Sequence, residues 1–376
     1  MNKKKIVFLT GTRADFGKIK SLIKITQESE VFEVHIFVTG MHMSSKYGKT
    51  IIEIKKSGFK NIYPFINHDD ILHMDRNLSK TIDGFSHYIN EIKPDLIIVH
   101  GDRIEAMAGA IVGSLNNILV AHIEGGEISG TIDELIRHSV SKLSHIHLVS
   151  NKEARKRLIQ MGEDCKSIFT IGSPDLDVMN SKELPSLKVV KNYYEIEFDS
   201  YGILLFHPVT TESTKIKNQV KILVDSILES NENIIVIYPN NDLGSNQILE
   251  EYERFDKIDK IKVFPSLRFE YFLVLLKNTR FMIGNSSAGI REAPYYNVPS
   301  INIGNRQNNR VSSKNIINID FSKSDILSSI KKVITIGNIK KDIDFGDGTS
   351  DKKFFKLLKE DTFWNISNQK QFRDLD

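Results

Sequence analysis

The 376-residue sequence contains a single cysteine and no long run of apolar residues. With only Cys165 present, an intramolecular disulfide and a cysteine-rich metal site are excluded, and we expect Cys165 to be a small buried apolar residue. Three lysines precede the apolar run at residues 6–9, but that run is far too short for the core of a signal peptide. No stretch approaches the ~20 residues of a membrane-spanning helix. These absences predict a cytoplasmic protein without a membrane partner.

Neither sign of charge dominates the composition. The 51 basic and 48 acidic residues leave a net charge of +3. This balance indicates no nucleic-acid or anionic-membrane partner, so any phosphate binding has to be local. Histidines with the spacing of a metal site are also lacking. We therefore predict no metal, and we expect most of His42, His68, His73 and His87 to lie at the surface.

Short apolar runs alternate with helical patterns throughout the chain. In the first half the runs are KIVFLT (5–10), EVHIFVTG (33–40), DLIIVHGD (95–102), NILVAHIE (117–124) and HIHLVS (145–150). In the second half they are YGILLFHP (201–208), NIIVIYP (233–239), KIKVFP (260–265), RFMIGNSS (280–287) and PSINIG (299–304). This alternation is typical of parallel, doubly wound α/β sheets.

The chain is too long for one ordinary hydrophobic core. The two series of runs therefore predict two Rossmann-like domains, residues 1–185 and 186–350, that face each other across a cleft as in the glycosyltransferase-B architecture. Apolar residues at helical spacing near position 355 predict a helix within residues 351–376. We expect this C-terminal helix and the tail after it to pack back on the protein.

Acidic side chains follow two of the predicted strands. Glu124 ends one apolar run, Asp102 ends the preceding one, and Asp133 lies in a helix that begins shortly afterwards. Ligands of open α/β sheets bind at this edge, and a carboxylate at the end of an apolar strand requires a partner or a function. The three acids therefore predict a carboxylate cluster suited to proton transfer.

Helix capping is the structural alternative for several of these residues. Thr131 followed by Glu134 has the spacing of a capping box, which is the interpretation we prefer for Glu134. Asp102 precedes helix-forming residues, and Asp133 would lie in the first turn of its helix, so each of them also suits a cap. The strand-end position of Glu124 is harder to explain by structure alone.

Two glycine-containing turns are candidates for phosphate binding. TGTRADFGK (10–18) lacks the G-x-G-x-x-G fingerprint, which disfavours a tightly bound NAD. It nevertheless sets Arg13 and Lys18 beside a helix start, where they suit a diphosphate. The alternative is that Arg13 pairs with a nearby acid such as Asp15. GNSSAGIRE (284–292) combines free amides, two hydroxyls and a helix start, whereas a simple serine cap would need no glycines.

Three further polar residues belong to the second half. Glu292 follows the second glycine turn and suits a ribose diol, and Arg306 in a later loop adds a cation. His207, in FHPVTTE (206–212), comes at the end of a predicted strand. A lone histidine is more often structural, but this position favours an acid/base or phosphate-binding role.

With these motifs assembled, the sequence resembles the hydrolysing UDP-N-acetylglucosamine 2-epimerases over essentially its whole length. The ordered matches are GTRADFGK (11–18), TGMHMSSKYG (39–48), HGDRIEA (100–106), HIEGGEISGTIDE (122–134), GSPDLDVM (172–179), FHPVTTE (206–212), YPNND (238–242), FPSLRFEYF (264–272) and GNSSAGIREAP (284–294). The TRAD and GGEISGTID segments are similar to the hydrolysing branch. The resemblance implies conversion of UDP-N-acetylglucosamine and water into N-acetylmannosamine and UDP, the first step of sialic acid synthesis, by a homodimer without a cofactor.

The resemblance also implies roles for particular residues. The implied catalytic residues are Asp102, Glu124, Asp133 and His207. The implied UDP-binding residues are Arg13 and Lys18, Phe264 and Ser266 near the uracil, Ser286, Ser287 and Gly289 at the diphosphate, Glu292 at the ribose, and Arg306. Three alternative functions stay open: the same chemistry on a UDP-2,4-diacetamido-2,4,6-trideoxyhexose for legionaminic acid, a glycosyltransferase-B sugar transferase, and a nucleotide-sugar sensor without catalysis.

Overall fold

The chain divides into two α/β units, each built around its own parallel sheet. The structure, a computed structural model, describes residues 3–67, 73–129, 132–307, 313–335 and 345–374. The first unit consists of Met1–Glu127, Asp133–Lys182 and Asp344–Asp376. The second unit consists of Ile128–Ile132 and Glu183–Ile343. None of the helices in the described stretches combines the length and the apolar content that a membrane crossing requires.

A sheet of parallel strands forms the centre of the first unit. Among its described residues the strands are β1 (Lys4–Thr10), β2 (Phe32–Val38), β3 (Ile62–Pro64), β4 (Leu96–His100), β5 (Leu119–Ile123), β6 (Ile146–Val149) and β7 (Ile168–Thr170). Their order is β3-β2-β1-β4-β5-β6-β7, and neighbouring strands are parallel. The order reverses between β1 and β4, so the ends of these strands border the crevice where doubly wound sheets bind ligands.

Helices connect these strands. Those described in this part of the chain are α1 (Arg13–Gln27), α2 (Ile51–Lys56), α3 (Met74–Ile92), α4 (Ile104–Leu115), α5 (Ile132–Leu143), α6 (Lys152–Gln160) and α7 (Asp175–Met179). Strands β4 and β5 are buried along their whole length, which explains why they are continuous apolar runs. Helix α1 begins with a capping box, in which the Thr12 hydroxyl accepts from the Asp15 amide and the Asp15 carboxylate accepts from the Thr12 amide.

The second unit repeats this architecture. Its described strands are β8 (Gly202–Leu205), β9 (Ile234–Ile237), β10 (Ile261–Phe264), β11 (Phe281–Gly284), β12 (Ser300–Ile303) and β13 (Ile316–Ile319). Its described helices are α8 (Leu187–Tyr193), α9 (Ile216–Ser230), α10 (Ser245–Tyr252), α11 (Phe269–Lys277), α12 (Glu292–Tyr295) and α13 (Lys323–Thr335). The parallel order β10-β9-β8-β11-β12-β13 reverses between β8 and β11.

These two sheets confirm the predicted fold class of two Rossmann-like, doubly wound units. The strands β3, β7 and β13 were not predicted, and all three lie at the edge of a sheet. An edge strand has one open side, so most residues of these three strands are only partly buried or are exposed, and they do not form a buried apolar run. Their short length, three or four residues each, removes the remaining periodic signal.

The C-terminal segment packs on the first unit through α14 (Ser350–Leu358) and α15 (Asp361–Trp364). The Phe354 ring lies 6.3 Å from the ring of Phe8 in an edge-to-face contact, and both side chains are fully buried. The indole of Trp364 stacks on Phe32 at a centroid distance of 6.2 Å. An extended tail, residues 365–374, follows α15.

Cys165 is exposed, so the prediction that it would be buried is wrong. It begins the 3-10 turn Cys165–Ser167 between α6 and β7, in which Ser167 is the buried side chain. Connecting turns run over the surface, and their sequence does not carry the periodicity that separates inward from outward positions.

A buried ionic cluster joins the extended tail to the first unit. The Glu163 carboxylate is 1% exposed; its Oε1 lies 2.9 Å from Lys142 Nζ, and its Oε2 lies 2.9 Å from His147 Nε2 and 2.5 Å from Lys370 Nζ. Burial alone would raise the pKa of Glu163, but the hydrogen bond from His147 and the positive charges of Lys370 and Lys142 hold it at about 2. The carboxylate is therefore ionised in the folded protein.

Replacing Glu163 by glutamine is expected to destabilise the protein in a pH-dependent manner. The folded pKa of about 2 lies below the ordinary value of 4.5. The contribution of the ionised group to stability is therefore fully present above pH 4.5 and is lost as the pH falls towards 2. At pH 7 we expect E163Q to lower the free energy of unfolding by roughly 3 kcal/mol, measured by urea denaturation. The exposed Glu153→Gln variant is the control. If the difference in free energy of unfolding between the unmodified protein and E163Q stayed constant down to pH 3, this prediction would be contradicted.

Candidate functional site

Glu124 occupies a strained position immediately after β5. Its φ of +65° is in the left-handed region, which a residue with a side chain rarely adopts. The Glu124 amide donates to the Leu148 carbonyl at 3.1 Å, so the chain is held by β6 at the point where it turns. The side chain is buried. A strained backbone that buries a carboxylate at the ligand-binding edge of the sheet indicates a functional position.

Two polar side chains contact the Glu124 carboxylate. The Ser173 hydroxyl donates to Oε1 at 2.8 Å, and His100 Nε2 lies 3.5 Å from Oε2. His100 is the last residue of β4, which pairs with β5, whereas Ser173 follows β7 in the GSPDLDVM segment. Neither residue was predicted to belong to the site. The position of His100 at the end of a strand was the available signal, and nothing local connects Ser173 to Glu124.

Arg137 joins the ends of β4 and β5. Its guanidinium is buried; Nη1 donates to the Glu124 carbonyl at 2.7 Å, and Nη2 donates to the Asp102 carboxylate. Asp133 lies one helical turn before Arg137 on α5 and is half-buried, so both residues share a face of the helix. The structure thus links the Asp102 carboxylate and the Glu124 backbone through Arg137 of α5. The catalytic roles of Asp102, Glu124, Asp133 and His207 stay predictions. No role for Arg137 was predicted, although its spacing from Asp133 was visible in the sequence.

Asp102 is not the cap of α4, because the N-cap of that helix is Arg103. The proposed capping box of Thr131 and Glu134 falls partly on residue 131, which lies outside the described residues. The carboxylate of Asp102 is partly exposed, at 24%, while the guanidinium it contacts is buried. Asp102 therefore presents one side to Arg137 and retains access to solvent.

His122 supports the Asp102 loop from within the sheet. Its Nε2 lies 2.8 Å from the Gly101 carbonyl and its Nδ1 lies 3.0 Å from the Ser141 hydroxyl. A carbonyl only accepts hydrogen bonds, so Nε2 carries the proton and Nδ1 accepts from Ser141. Burial lowers the pKa of His122 to about 3, which keeps the ring neutral. His122 therefore positions the residue next to Asp102 and does not supply charge.

The first glycine turn contains more internal pairing than the sequence suggested. Lys18 Nζ lies 3.6 Å from the buried carboxylate of Asp175, and an Arg13 nitrogen lies 3.9 Å from Glu53. Asp15, the predicted alternative partner of Arg13, caps α1. The phosphate-binding roles of Arg13 and Lys18 stay predictions.

His42 lies beside this turn and is fully buried, so the expectation of a surface histidine is wrong for this residue. Its ring nitrogens lie 3.1 Å from the Thr10 hydroxyl and 2.6 Å from the Thr50 hydroxyl. Burial lowers the pKa of His42 to about 4. His73 and His87 are exposed as expected, and His68 lies outside the described residues.

In the second unit, Asn285 and His207 meet where the strand order reverses. The Asn285 side chain accepts from the His207 amide at 2.7 Å and donates to the His207 carbonyl at 2.8 Å. The His207 Nδ1 accepts from the Asn240 amide at 3.0 Å, so the proton of the neutral ring is on Nε2. Asn285 was overlooked in the sequence, where its place directly after a buried strand was the only signal.

Replacing Asn285 by alanine is expected to lower the free energy of unfolding by about 2 kcal/mol, because two buried backbone groups of His207 would lose their hydrogen bonds. The half-buried Asn233, whose side chain donates one exposed hydrogen bond to the Ser200 carbonyl, provides the matched control. Urea denaturation of N285A and N233A measures both effects. Equal losses of unfolding free energy in N285A and N233A would contradict this prediction.

The second glycine turn differs from its predicted form. It does not begin a long helix: a 3-10 turn, Ser287–Gly289, is capped by the Ser286 hydroxyl, and α12 follows with only four residues. Pro294 cannot donate to the helix, and Asn297 with a φ of +61° reverses the chain soon afterwards. Any anion bound here would therefore be held by local amides and hydroxyls, since a four-residue helix has little dipole.

The remaining predicted UDP residues lie at separate points of the second unit. Arg306 is buried and donates to the Asn285 carbonyl at 3.2 Å, which ties it to the second glycine turn. Glu292 is buried at the start of α12. Phe264 ends β10 and packs edge-to-face on Tyr194, with Ser266 in the following loop. Within the described ranges, no group of three or more His, Cys, Asp or Glu side chains is arranged to hold a metal ion.

These features define an α/β enzyme with two doubly wound units. Residues 24–359 match a protein-family profile described as UDP-N-acetylglucosamine 2-epimerase. The chain is 49% identical over 375 residues to the UDP-N-acetylglucosamine 2-epimerase of Neisseria meningitidis serogroup B, which covers 99% of both chains. It therefore belongs to the UDP-N-acetylglucosamine 2-epimerase family, as the sequence motifs predicted.

Two other relatives extend this comparison. The UDP-N,N'-diacetylbacillosamine 2-epimerase (hydrolyzing) of Legionella pneumophila is 36% identical over 361 residues, covering 95% of this chain and 96% of the other. The crystal structure of the Methanocaldococcus jannaschii UDP-GlcNAc 2-epimerase, in complex with UDP-GlcNAc and UDP, matches with a TM-score of 0.80 at 22% identity. That match covers 94% of this chain and 99% of the other, and it supports the fold.

Proposed function

We propose that the protein is a hydrolysing 2-epimerase that converts UDP-N-acetylglucosamine and water into N-acetylmannosamine and UDP, the first step of sialic acid synthesis. The observation that carries this proposal is Arg137, which ties the Asp102 carboxylate to the backbone carbonyl of Glu124 at the ends of β4 and β5, where both acids lie. The Legionella relative, whose name includes hydrolyzing, supports the same branch of the family.

The chemistry requires that UDP departs before or together with the C2 proton. The hydrogen on C2 is not next to a carbonyl, so a side chain cannot remove it while C1 is saturated. As the C1–O bond breaks, its electron pair leaves with UDP and positive charge develops at C1. A base then takes the C2 proton, and the electron pair of the C2–H bond forms the C1–C2 double bond of 2-acetamidoglucal.

The second half adds water across that double bond. An acid returns a proton to C2 on the opposite face, which inverts this centre, while water supplies the hydroxyl at C1 and gives its other proton to a carboxylate. The sum is one water consumed, one UDP released and no net oxidation or reduction, so no redox cofactor is needed. A carboxylate near C1 would stabilise the cation-like transition states of both halves.

We assign the proton steps to Asp102 and Glu124 and assistance in hydration to Asp133. Glu124 is the more enclosed of the first two acids, and Ser173 and His100 fix the direction of its carboxylate. Asp102 is partly exposed, which suits exchange of protons with water. Arg137 holds the two strand-end loops together, through the Glu124 backbone carbonyl and the Asp102 carboxylate.

We assign UDP to the residues that the sequence resemblance implies. The diphosphate contacts would come from Arg13, Lys18, Ser286, Ser287, Gly289 and Arg306, with Glu292 at the ribose and Phe264 and Ser266 near the uracil. His207 would act as a neutral hydrogen-bond donor through Nε2, since its Nδ1 is occupied by the Asn240 amide. Because Lys18 is already paired with Asp175, a phosphate would have to share this ammonium.

A second candidate is the same chemistry on a UDP-2,4-diacetamido-2,4,6-trideoxyhexose. The Legionella relative named for such a sugar is 36% identical, whereas the Neisseria relative named for UDP-N-acetylglucosamine is 49% identical. This difference favours UDP-N-acetylglucosamine. The resemblance also leads us to propose a homodimer, which sedimentation would detect as twice the chain mass of 42.9 kDa.

Incubation with UDP-N-acetylglucosamine in deuterated water, followed by proton NMR without added cofactor, tests the proposal. We expect free UDP and N-acetylmannosamine that carries deuterium at C2. Accumulation of UDP-N-acetylmannosamine would instead place the enzyme in the non-hydrolysing branch. If the substrate stayed unchanged while the diacetamido sugar turned over, the substrate assignment would be wrong and the mechanism retained.

A further inference from the structure

Lys370, in the extended C-terminal tail, makes contacts that the proposed function does not use. Its Nζ donates to three backbone carbonyls at the end of α5, those of Ser141 at 3.2 Å, Lys142 at 2.9 Å and Ser144 at 2.8 Å. The same ammonium lies 2.5 Å from the buried Glu163 carboxylate. Four oxygens from α5 and the loop after α6 thus surround one charge from a distant part of the chain.

These contacts satisfy the end of a helix almost completely. The last carbonyls of a helix have no intrahelical partner and form the negative end of its dipole. Lys370 donates to two of them, those of Ser141 and Lys142, and to the Ser144 carbonyl just beyond the helix. The hydroxyl of Ser114 on α4 donates to the Leu143 carbonyl. Ser141 and Ser144 are fully buried, so water does not replace these partners. Without the ammonium, Glu163 and the carbonyls of the buried Ser141 and Ser144 and of the exposed Lys142 would lose a donor, and only Ser141 would keep a backbone partner, the Ser144 amide at 3.2 Å.

Helix α5 carries the proposed active-site residues at its other end. Arg137 and Asp133 precede Ser141 by one and two helical turns, and a helix transmits an axial shift along its length because each residue rises by about 1.5 Å. A second route runs through Ser141 itself, whose hydroxyl holds His122, which in turn donates to the Gly101 carbonyl beside Asp102. The place where Lys370 binds is therefore connected to the site by two routes, one along α5 to Arg137 and one through His122 to the loop of Asp102.

We propose that Lys370 is a positioning residue for catalysis: by binding carbonyls at the C-terminal end of α5, it fixes this helix so that Arg137 keeps its contacts with the Asp102 carboxylate and the Glu124 carbonyl. The inference rests on the proposed function, because it assumes that these carboxylates act on the substrate. It assigns to the C-terminal tail a part in the chemistry of a site that none of its described residues, 365–374, contacts.

The matched pair of variants is Lys370→Met and Arg373→Met in the full-length chain. Arg373 is the next cation of the same tail, but it pairs with the half-buried Asp164 and contacts no part of α5 among the described residues. We expect K370M to lower kcat for UDP-N-acetylglucosamine roughly tenfold to a hundredfold with KM within about twofold, since small displacements of reacting groups act on the chemical step. R373M should change neither constant by more than about twofold.

Hydrogen exchange supplies a readout that does not depend on activity. The amides of α5 should exchange at least about tenfold faster in K370M than in the unmodified protein, and at unchanged rates in R373M. Equal exchange of α5 in all three proteins would overturn the inference whether or not the substrate is turned over. An inactive unmodified protein would refute the proposed function and leave this test valid.

Chemical rescue separates positioning from a general loss of stability. In Lys370→Ala, added propylammonium should restore part of kcat, because it supplies N–H donors to the same carbonyls, whereas tetramethylammonium should not. If K370M or K370A failed to fold, Lys370→Arg, which keeps the charge and donors, would take their place and should retain protected α5 amides. A loss of kcat that was identical in K370M and R373M, or was unaffected by propylammonium, would count against the proposal.

Discussion

Replacing Glu124 by glutamine is expected to lower kcat by about 10²- to 10⁴-fold, the contribution of a general acid or base. Glutamine keeps the size of the side chain and can still accept from the Ser173 hydroxyl, so the buried position should remain filled. It cannot take or return a proton at C2. Steady-state release of UDP measures the effect, and the binding of UDP itself, followed by calorimetry, should stay within about threefold.

Glu127 provides the matched control for this prediction. It is a buried glutamate of the same segment, and its carboxylate accepts from the Ser150 hydroxyl in the same way that Glu124 accepts from Ser173. Glu127→Gln therefore tests the loss of a buried charge near the site without the loss of the proposed acid/base group. Full turnover by E124Q, or an equal loss of kcat in E127Q, would remove Glu124 from the mechanism.

The acids of the site were predictable because the end of a strand is a local feature. Glu124 and Asp102 each follow an apolar run, and parallel strands end at the same edge of a sheet. The pairing of β4 with β5 then brings the two acids close together. A role for Arg137 was not predictable, because its spacing from Asp133 indicates only a shared helix face. Its insertion between two loops depends on how α5 packs.

Contacts between distant parts of the chain were the features that sequence reasoning could not give. Lys370 and Ser144 are separated by 226 positions, and no periodicity in either segment marks their pairing. His42 was expected at the surface because a histidine in a loop usually is exposed. The contacts that bury it come from Thr10 and Thr50, on opposite sides of its own segment. The prediction for Cys165 was wrong in the opposite sense: its residue type suggested burial, but the side chain is exposed.

Replacing Gly284 by alanine is expected to lower the free energy of unfolding by about 4 kcal/mol. Gly284 ends β11 with a φ of +136°, and a Cβ there would lie 2.0 Å from the carbonyl oxygen of Leu205 in the neighbouring strand β8. Backbone strain and overpacking each cost about 1–3 kcal/mol. The obstructing atom belongs to a central strand and cannot rotate away. Relief of this clash would require β8 and β11 to move apart. That movement would disturb Asn285 and His207, which follow these strands, so UDP binding should weaken as well.

Gly58 separates the two causes of this loss. It also has a positive φ, +76°, but nothing lies within 4 Å of a Cβ built on it. Gly58→Ala therefore adds the unfavourable backbone conformation without a clash and should cost only about 1 kcal/mol. Urea denaturation of both variants compares them directly. If G284A lowered the free energy of unfolding as little as G58A, β8 and β11 would have to separate easily at this point. The close approach of the two strands would then not explain why a glycine precedes Asn285.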